Sequence, residues 1–218
     1  MNGRTLTLIR HGRVEFDARD TFRESPRGRQ WDPPLAEEGL EQAEALAARL
    51  RAGEPPEAIW CSPFTRCVET IAPYLERVEV RVRYDERLGE VFVGEWEGKS
   101  FEEIVSSDED LARKFREQEA MFSMSPGGES GAELRARVLP AVEELLATTS
   151  GNVMLVAHGG VINAYIATLL GLEQDMFFLP DNTSLNTVVV EEGRPRVRFL
   201  NDVRHLTDPE VFLPAKEA

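Results

Sequence analysis

Leu8-Ile9-Arg10-His11-Gly12-Arg13 is the segment from which the fold of this chain is predicted. The apolar run from Leu6 to Ile9 is typical of a buried strand, and it ends abruptly in a cation, an imidazole and a glycine. Gly12 permits a tight turn directly after the strand. Because ligands of open α/β sheets bind just beyond the carboxyl ends of the strands, Arg10 and His11 are predicted to face a binding crevice.

The composition of the chain argues against several classes of function. With 218 residues, 42% of them hydrophobic, residues 1–218 are expected to form one domain. The net charge of −14 argues against a nucleic-acid surface, which needs a basic face, and against anionic membranes. No apolar run approaches the roughly 20 residues that span a bilayer, and no signal peptide is expected. A few local arginines can still bind an anionic small molecule.

The two cysteines, Cys61 and Cys67, flank the predicted start of a helix. A reduced pair is favoured over a disulfide or a metal site, because thiols of cytoplasmic proteins stay reduced. We therefore expect a cytoplasmic protein.

Strands and helices alternate along the chain, which predicts a mainly parallel sheet with helices on both faces, a three-layer α/β/α fold. Strands are predicted over residues 5–9, 58–61, 78–84, 153–157, 187–190 and 197–200, the last two as a hairpin around Gly193. Helices are predicted over residues 36–51, 63–74, 100–122, 131–148 and 161–170. Two of these helices begin with capping-box spacing, at Ser100 with Glu103 and at Ser130 with Glu133.

A second histidine, His158, also stands where a buried strand gives way to a helix. If the two strands are neighbours, His11 and His158 lie in one crevice. Gly159 and Gly160 expose backbone N–H groups at the helix start, which is a natural anion site. A core or capping histidine is the alternative interpretation of His158.

Arg66 is predicted to lie in the first turn of its helix, where the helix dipole disfavours a cation. This placement indicates that Arg66 binds a ligand. The alternative is a surface arginine that pairs with Glu69 or Glu37.

Glu90 lies between apolar residues and glycines in the segment from Leu88 to Gly98. Such a carboxyl group can have a raised pKa and act as a general acid. Glu95 and Glu97, in the same segment, are expected to be solvated loop charges.

Six motifs then follow one another along the chain. They are Leu8-Ile9-Arg10-His11-Gly12, Asp32-Pro33-Pro34-Leu35 with Gly39, Ser62-Pro63-Phe64-Thr65-Arg66, Glu90 with Gly94-Glu95-Trp96-Glu97-Gly98, Pro126-Gly127-Gly128-Glu129-Ser130 and Ala157-His158-Gly159-Gly160. Each motif is weak by itself, but all six in this order are specific. The chain resembles the histidine phosphatase superfamily, also called the phosphoglycerate mutase-like family, over about residues 5–205.

The resemblance implies a role for each candidate residue. It implies that His11 is the nucleophile that becomes a phosphohistidine, and that Arg10 and Arg66 grip the phosphate. It implies that His158 is the second histidine of the family, which donates a hydrogen bond to the phosphate. It also implies that Glu90 protonates the leaving oxygen and then activates water. No metal and no cofactor are expected, because arginine and histidine offset the phosphoryl charge that Mg²⁺ offsets in other enzymes.

The chain departs from the family pattern after Gly12. Arg13, Val14 and Asp17 stand where the family often has Glu or Gln, then Thr, then Asn. Asp17 is expected to point away from the phosphate or to pair with Arg13. Arg13 and Gly159 are further candidate substrate contacts, beside Arg10, Arg66 and His158. Ala36 replaces a threonine, which removes a helix N-cap.

Two segments are expected to form the walls of the pocket. Residues 13–31 carry five arginines against four acids, and we hypothesise that this segment closes over an anionic substrate. A mobile surface loop is the alternative. A helical insertion at about 100–130 is expected to form part of the pocket roof.

The sequence thus predicts a phosphomonoesterase that acts on a small phosphorylated metabolite. The Gly-Glu-Trp-Glu-Gly and Pro-Gly-Gly-Glu-Ser segments resemble the phosphatase branch of the family. A phosphoglycerate mutase is the nearest alternative, and a non-catalytic binder is less favoured because a binder has no need of an acid. A metallohydrolase is weaker still, since His11, His158 and His205 lack metal-ligand spacing. Whether the chain forms a homodimer is left open.

Overall fold

Eight strands and five helices make up the part of the chain that the computed structural model describes, residues 3–106 and 125–206. The strands are β1 (Arg4–Arg10), β2 (Phe22–Ser25), β3 (Gly28–Trp31), β4 (Ala58–Cys61), β5 (Arg81–Tyr84), β6 (Val153–Ala157), β7 (Leu185–Glu191) and β8 (Arg194–Asp202). The helices are α1 (Glu37–Arg51), α2 (Thr65–Leu75), α3 (Phe101–Val105), α4 (Gly131–Ala147) and α5 (Gly159–Leu170). Short 3₁₀ turns cover Glu86–Leu88 and Gly94–Trp96.

Six of these strands form one sheet in the order β5-β4-β6-β1-β7-β8, and β2 pairs with β3 in a separate hairpin. The four strands β5, β4, β6 and β1 run parallel to one another. Strand β7 runs antiparallel to β1, and β8 runs antiparallel to β7. Every residue of β6 is buried, as expected for a central strand with both faces covered. The predicted fold with a mainly parallel sheet is confirmed.

Helices cover both faces of the sheet, because the strand residues alternate between two apolar clusters. Ile9, Ile59 and Val156 pack on one face with the buried residues of α1 and α2. Leu8 and Leu155 pack on the other face with those of α4 and α5. Each fully buried side chain of this kind contributes about 1.5–3 kcal/mol to stability. The helices thereby hold the carboxyl ends of the strands in place from both faces of the sheet.

Most of the predicted element boundaries lie within two residues of the observed ones. The capping boxes at Ser100 and Ser130 are confirmed, each side chain accepting a hydrogen bond from the third helical N–H. Ala36 precedes α1 without a side-chain cap, as expected. The strand predicted over residues 78–84 is shorter, beginning at Arg81.

One hairpin was missed by the sequence analysis. Phe22–Ser25 and Gly28–Trp31 pair as β2 and β3 within the arginine-rich segment 13–31. Their side chains are mostly polar, so neither has the apolar run by which a strand is identified. The predicted helix over 100–122 begins as expected with α3, and residues 107–124 lie outside the described residues.

Both cysteines are buried as free thiols. Burial raises the pKa of Cys67 to about 12, so this thiol is un-ionised at neutral pH. Nowhere in the described residues is a helix long and apolar enough to cross a membrane.

Candidate active site

Two strand ends meet at the carboxyl edge of the sheet and bring the predicted histidines together. β1 and β6 are parallel neighbours, with Arg10 opposite Ala157. His11 and His158 directly follow these two strands, and their ring centroids lie 5.3 Å apart. Only 6% of His11 and none of His158 is exposed. The two strands are thus neighbours, as the prediction required, and the two histidines lie side by side at their ends.

His11 has the hydrogen-bonding pattern and the charge of a nucleophile. Its Nδ1 lies 2.7 Å from the carbonyl oxygen of Gly12, and because a carbonyl oxygen only accepts, Nδ1 must carry the hydrogen. Nε2 therefore keeps its lone pair. Burial, with the positive charges of Arg66 and Arg10, lowers the pKa of His11 well below its usual value. The imidazole consequently stays neutral at mildly acidic pH.

The backbone of His11 is fixed by the end of β6 and by Asn182 and Thr183, which no motif identified. Its N–H donates to the carbonyl oxygen of Ala157 over 3.0 Å. Its own carbonyl oxygen accepts from Nδ2 of Asn182 at 3.0 Å and from the N–H of Thr183 at 3.3 Å. The hydroxyl of Thr183 lies 3.0 Å from Nε2 of His205. His205 thus supports the site from behind Thr183.

Arg66 lies in the first turn of α2 and is buried, with 6% of its surface exposed. Its Nη1 donates to the carbonyl oxygen of Trp31 at 3.3 Å and to Asp32 Oδ1 at 3.4 Å. The carboxylate of Asp32 also accepts from the N–H and the hydroxyl of Thr65, each at 2.9 Å. Asp32 therefore positions both the helix start and its arginine. The alternative of a surface ion pair is wrong, because Arg66 faces the interior.

Arg10 ends β1 with a guanidinium that is only partly satisfied. Its Nη1 donates to the carbonyl oxygen of Pro180. Its Nε is buried without a hydrogen-bond partner among the described residues. A buried donor that lacks an acceptor costs free energy, so Arg10 is arranged to receive an oxygen from an anionic ligand.

His158 caps the start of α5 but makes no side-chain cap bond. Its Nε2 lies 2.8 Å from the hydroxyl oxygen of Ser62, and the edge of the Phe64 ring packs against it with centroids 5.1 Å apart. Burial and the charge of Arg66 lower the pKa of His158. The side chain lies beside His11 but lines no part of the pocket described below.

Glu90 faces the same pocket as His11. Its Oε1 accepts from the backbone N–H of Val91 at 2.9 Å and of Gly160 at 3.2 Å. Burial raises the pKa of Glu90, although these hydrogen bonds and the nearby arginines act in the opposite direction. A carboxyl group with a raised pKa in the same pocket as His11 is suited to general acid catalysis. The Gly160 N–H expected to bind a substrate anion binds this carboxylate instead.

Arg137 of α4 holds the loop that carries Glu90. Its guanidinium donates to the carbonyl oxygens of Arg87 at 2.6 Å, Gly89 at 2.8 Å and Glu90 at 3.1 Å. The same guanidinium pairs with Glu129 at 2.6 Å. The Pro-Gly-Gly-Glu-Ser motif therefore positions the Glu90 segment through this arginine.

Glu129→Gln is expected to lower the free energy of unfolding by about 3 kcal/mol, because it leaves the Arg137 charge buried without its partner. The two side chains are only 6% and 13% exposed. Glu38→Gln is the matched control, since it removes an ion pair with Arg13 that is more than half exposed on both sides. That change is expected to cost less than about 0.5 kcal/mol. Urea unfolding measures both variants, and equal losses would contradict the role of Glu129.

Glu97 is not the solvated loop charge that was expected. Its two carboxylate oxygens accept from the backbone N–H of Trp31 at 2.8 Å and of Val93 at 3.0 Å. Burial raises the pKa of Glu97. This carboxylate ties β3 to the loop after Glu90, whereas Glu95 is exposed as expected.

Arg13 and Asp17 lie on the surface, away from the histidines. The Nε of Arg13 pairs with Glu38 at 3.2 Å, and its side chain is 54% exposed. Asp17 is exposed, its backbone N–H donates to the side chain of Glu15, and its carbonyl oxygen accepts from the N–H of Arg19. The structure thus does not bring Arg13 to the predicted substrate site.

The other arginines of segment 13–31 also bind protein groups. Arg19 pairs with Glu103, and Arg23 pairs with Glu86 at 2.7 Å. Arg27 donates to the backbone carbonyl oxygen of Glu86. The segment does reach the pocket, but through its uncharged side chains.

A pocket of about 200 Å³ lies beside His11. It is lined by Arg10, His11, Val14, Phe16, Gln30, Trp31, Phe64, Arg66, Glu90, Val91, Val93 and Glu97. His11, the two arginines and Glu90 therefore share one opening. Within residues 3–106 and 125–206, no group of three His, Cys, Asp or Glu side chains is placed to hold a metal ion.

Comparison with known proteins places this geometry in a family. The chain matches the model of the histidine phosphatase superfamily (branch 1) over residues 6–203. It is 34% identical over 183 residues to a glucosyl-3-phosphoglycerate phosphatase of Mycolicibacterium vanbaalenii, covering 80% of this chain and 78% of that protein. It is 30% identical over 219 residues to phosphoserine phosphatase 1 of Hydrogenobacter thermophilus, covering 98% of each chain.

A solved structure, Bacillus stearothermophilus YhfR, superposes with a TM-score of 0.79 at 28% identity. The match covers 93% of this chain and 99% of that one. The sheet order and the helices on both faces are therefore those of known proteins of this fold.

Proposed function

This chain belongs to the histidine phosphatase superfamily and is a phosphoric monoester hydrolase, and we propose that it works through a phosphohistidine formed on Nε2 of His11. The observation that carries the proposal is the 2.7 Å contact between Nδ1 of His11 and the carbonyl oxygen of Gly12. Because Nδ1 donates there, Nε2 is free to attack phosphorus in a pocket that Arg10 and Arg66 also line.

In the first step, Nε2 of His11 attacks phosphorus, the N–P bond forms and the P–O bond to the alcohol breaks. Arg10 and Arg66 hold the phosphoryl oxygens and stabilise their charge in the transition state. The carboxyl group of Glu90 donates its proton to the leaving oxygen, so the alcohol departs uncharged. His158 and Gly159 stay candidate phosphate contacts, because they lie beside His11 and Arg10.

In the second step, the Glu90 carboxylate takes a proton from water, and the water oxygen attacks the phosphohistidine. The N–P bond breaks, inorganic phosphate leaves, and His11 and Glu90 return to their starting states. We propose that neither metal nor cofactor takes part, because the two arginines offset the charge that Mg²⁺ offsets in other phosphoryl transfers.

The proposal is tested by giving the protein two substrates in the presence of EDTA. We expect inorganic phosphate from p-nitrophenyl phosphate at mildly acidic pH, with the same rate before and after EDTA is added. With 3-phosphoglycerate and a trace of its bisphosphate, we expect no rapid isomerisation. Fast isomerisation would favour the mutase, and a requirement for added Mg²⁺ would contradict the metal-free mechanism.

We also propose a domain organisation and a cellular location for the chain. Residues 1–218 are proposed to form one domain, with segment 100–130 as part of the pocket roof. A cytoplasmic location is proposed from the two unpaired thiols. A homodimer stays an open prediction.

A further inference from the structure

The pocket wall beyond the arginines is apolar and partly aromatic. Val14, Val91 and Val93 line it together with the rings of Phe16 and Trp31. The two rings lie 5.9 Å apart with their planes inclined by 34°. Phe16 is 61% exposed, although it is a large apolar side chain. The Phe16 ring is therefore accessible to a ligand in the pocket.

Trp31 is held in one position by three hydrogen bonds. Its indole Nε1 donates to the carbonyl oxygen of Ala18 at 2.9 Å, and its backbone N–H donates to Glu97 at 2.8 Å. Its carbonyl oxygen accepts from Nη1 of Arg66 at 3.3 Å. The ring is therefore a rigid face at a set distance from the arginine that grips the phosphate. A stacked group loses little entropy on such a preorganised surface.

The charges in the pocket do not favour a second anionic group on the substrate. Arg10 and Arg66 are the cations among its described lining residues, and both are assigned to the phosphoryl group. Arg13 pairs with Glu38. Arg23, whose guanidinium lies over the ring of the wall residue Phe64, pairs with Glu86 and does not itself line the pocket. Glu97 adds an acidic group to the wall instead. Among the described lining residues, a carboxylate on the alcohol would find no cation that the phosphoryl group does not already use, and it would lie in the same pocket as Glu97.

We propose that the alcohol portion of the substrate is uncharged and has an apolar, ring-shaped face that stacks on Trp31 and Phe16. The substrate class is thus an aryl or arylalkyl phosphate, and not a phosphorylated carboxylic acid such as phosphoserine. This proposal rests on the proposed function and deepens it. It assigns to Phe16 and Trp31 the selection of substrates, which the arginine-rich segment 13–31 was expected to achieve by charge.

The first test compares two esters that differ only in a remote carboxylate, 2-phenylethyl phosphate and 2-(4-carboxyphenyl)ethyl phosphate. The leaving oxygens of these two esters are chemically equivalent, so differences in kcat/KM report binding of the alcohol. We expect kcat/KM to be roughly tenfold higher for the uncharged ester, with most of the difference in KM. Equal values, or a preference for the carboxylate, would overturn the proposal.

The second test changes the exposed ring. Phe16→Ala is expected to lower the ratio of kcat/KM for 2-phenylethyl phosphate over ethyl phosphate by about fivefold, the effect of losing one aromatic contact. Phe16→Tyr keeps the ring and should restore the ratio. Leu40→Ala is the control, since Leu40 is 51% exposed on α1 and does not line the pocket.

These assays distinguish a failure of the proposed function from a failure of the proposed stacking surface. If wild-type protein hydrolyses neither ethyl phosphate nor p-nitrophenyl phosphate, the proposed function is wrong. If both are hydrolysed but the ratio is unchanged in Phe16→Ala, only the stacking surface is wrong.

Discussion

Replacing His11 by alanine is expected to lower kcat for p-nitrophenyl phosphate by roughly three orders of magnitude or more. The variant keeps Arg10 and Arg66, so phosphate esters still bind, but no atom remains at the position of Nε2 to form the N–P bond. The KM should therefore change much less than kcat. The small volume lost at a strand end leaves the sheet intact, which thermal unfolding followed by circular dichroism verifies.

The covalent intermediate gives this prediction a second and more direct readout. Wild-type protein quenched during turnover should carry a phosphoryl group that is stable in base and labile in acid, as expected of a phosphoramidate. His11→Ala should carry none. His205→Gln is the matched control, because it alters a histidine outside the pocket and can keep a hydrogen bond to Thr183. Labelling of His11→Ala would move the nucleophile to another residue.

The sheet and the pairing of the two histidines could be predicted because their signals are local. β1 and β6 are apolar runs of ordinary strand length, and each ends directly in a histidine. The rule that ligands bind at the carboxyl ends of strands then places both histidines at one edge. The position of Arg66 in the first turn of its helix was likewise predicted, and Arg66 lies there in α2.

The pocket wall could not be predicted because its signals depend on tertiary contacts. Trp31 becomes a fixed ring only through bonds to Ala18, Glu97 and Arg66, which are distant in sequence. Glu97 has the local pattern of a solvated charge, and one of its two N–H partners, that of Trp31, exists only once β3 reaches it. The excess of arginine in segment 13–31 did not predict which of its side chains line the pocket, since a count of charges does not show which carboxylates the arginines pair with.

Glu90→Gln is expected to slow hydrolysis of ethyl phosphate by about 10²–10⁴-fold, the usual contribution of a general acid. An alkoxide is a poor leaving group and needs the proton that a glutamine cannot supply. Nitrophenolate leaves without a proton, so the first step with p-nitrophenyl phosphate should be nearly unchanged. The second step still lacks its base. We therefore expect a burst of nitrophenolate followed by slow turnover, with phosphohistidine accumulating.

The pH profile of kcat for ethyl phosphate separates this role from a structural one. Because burial raises the pKa of Glu90, its protonated form is present below that raised pKa, and activity should fall as the pH rises through it. The pKa of His11 is lowered, so the nucleophile stays neutral on the acidic side. Glu90→Gln should abolish the alkaline limb, while Glu95→Gln, which alters an exposed neighbour, should keep it. An alkaline limb that survives in Glu90→Gln would assign the acid to another group.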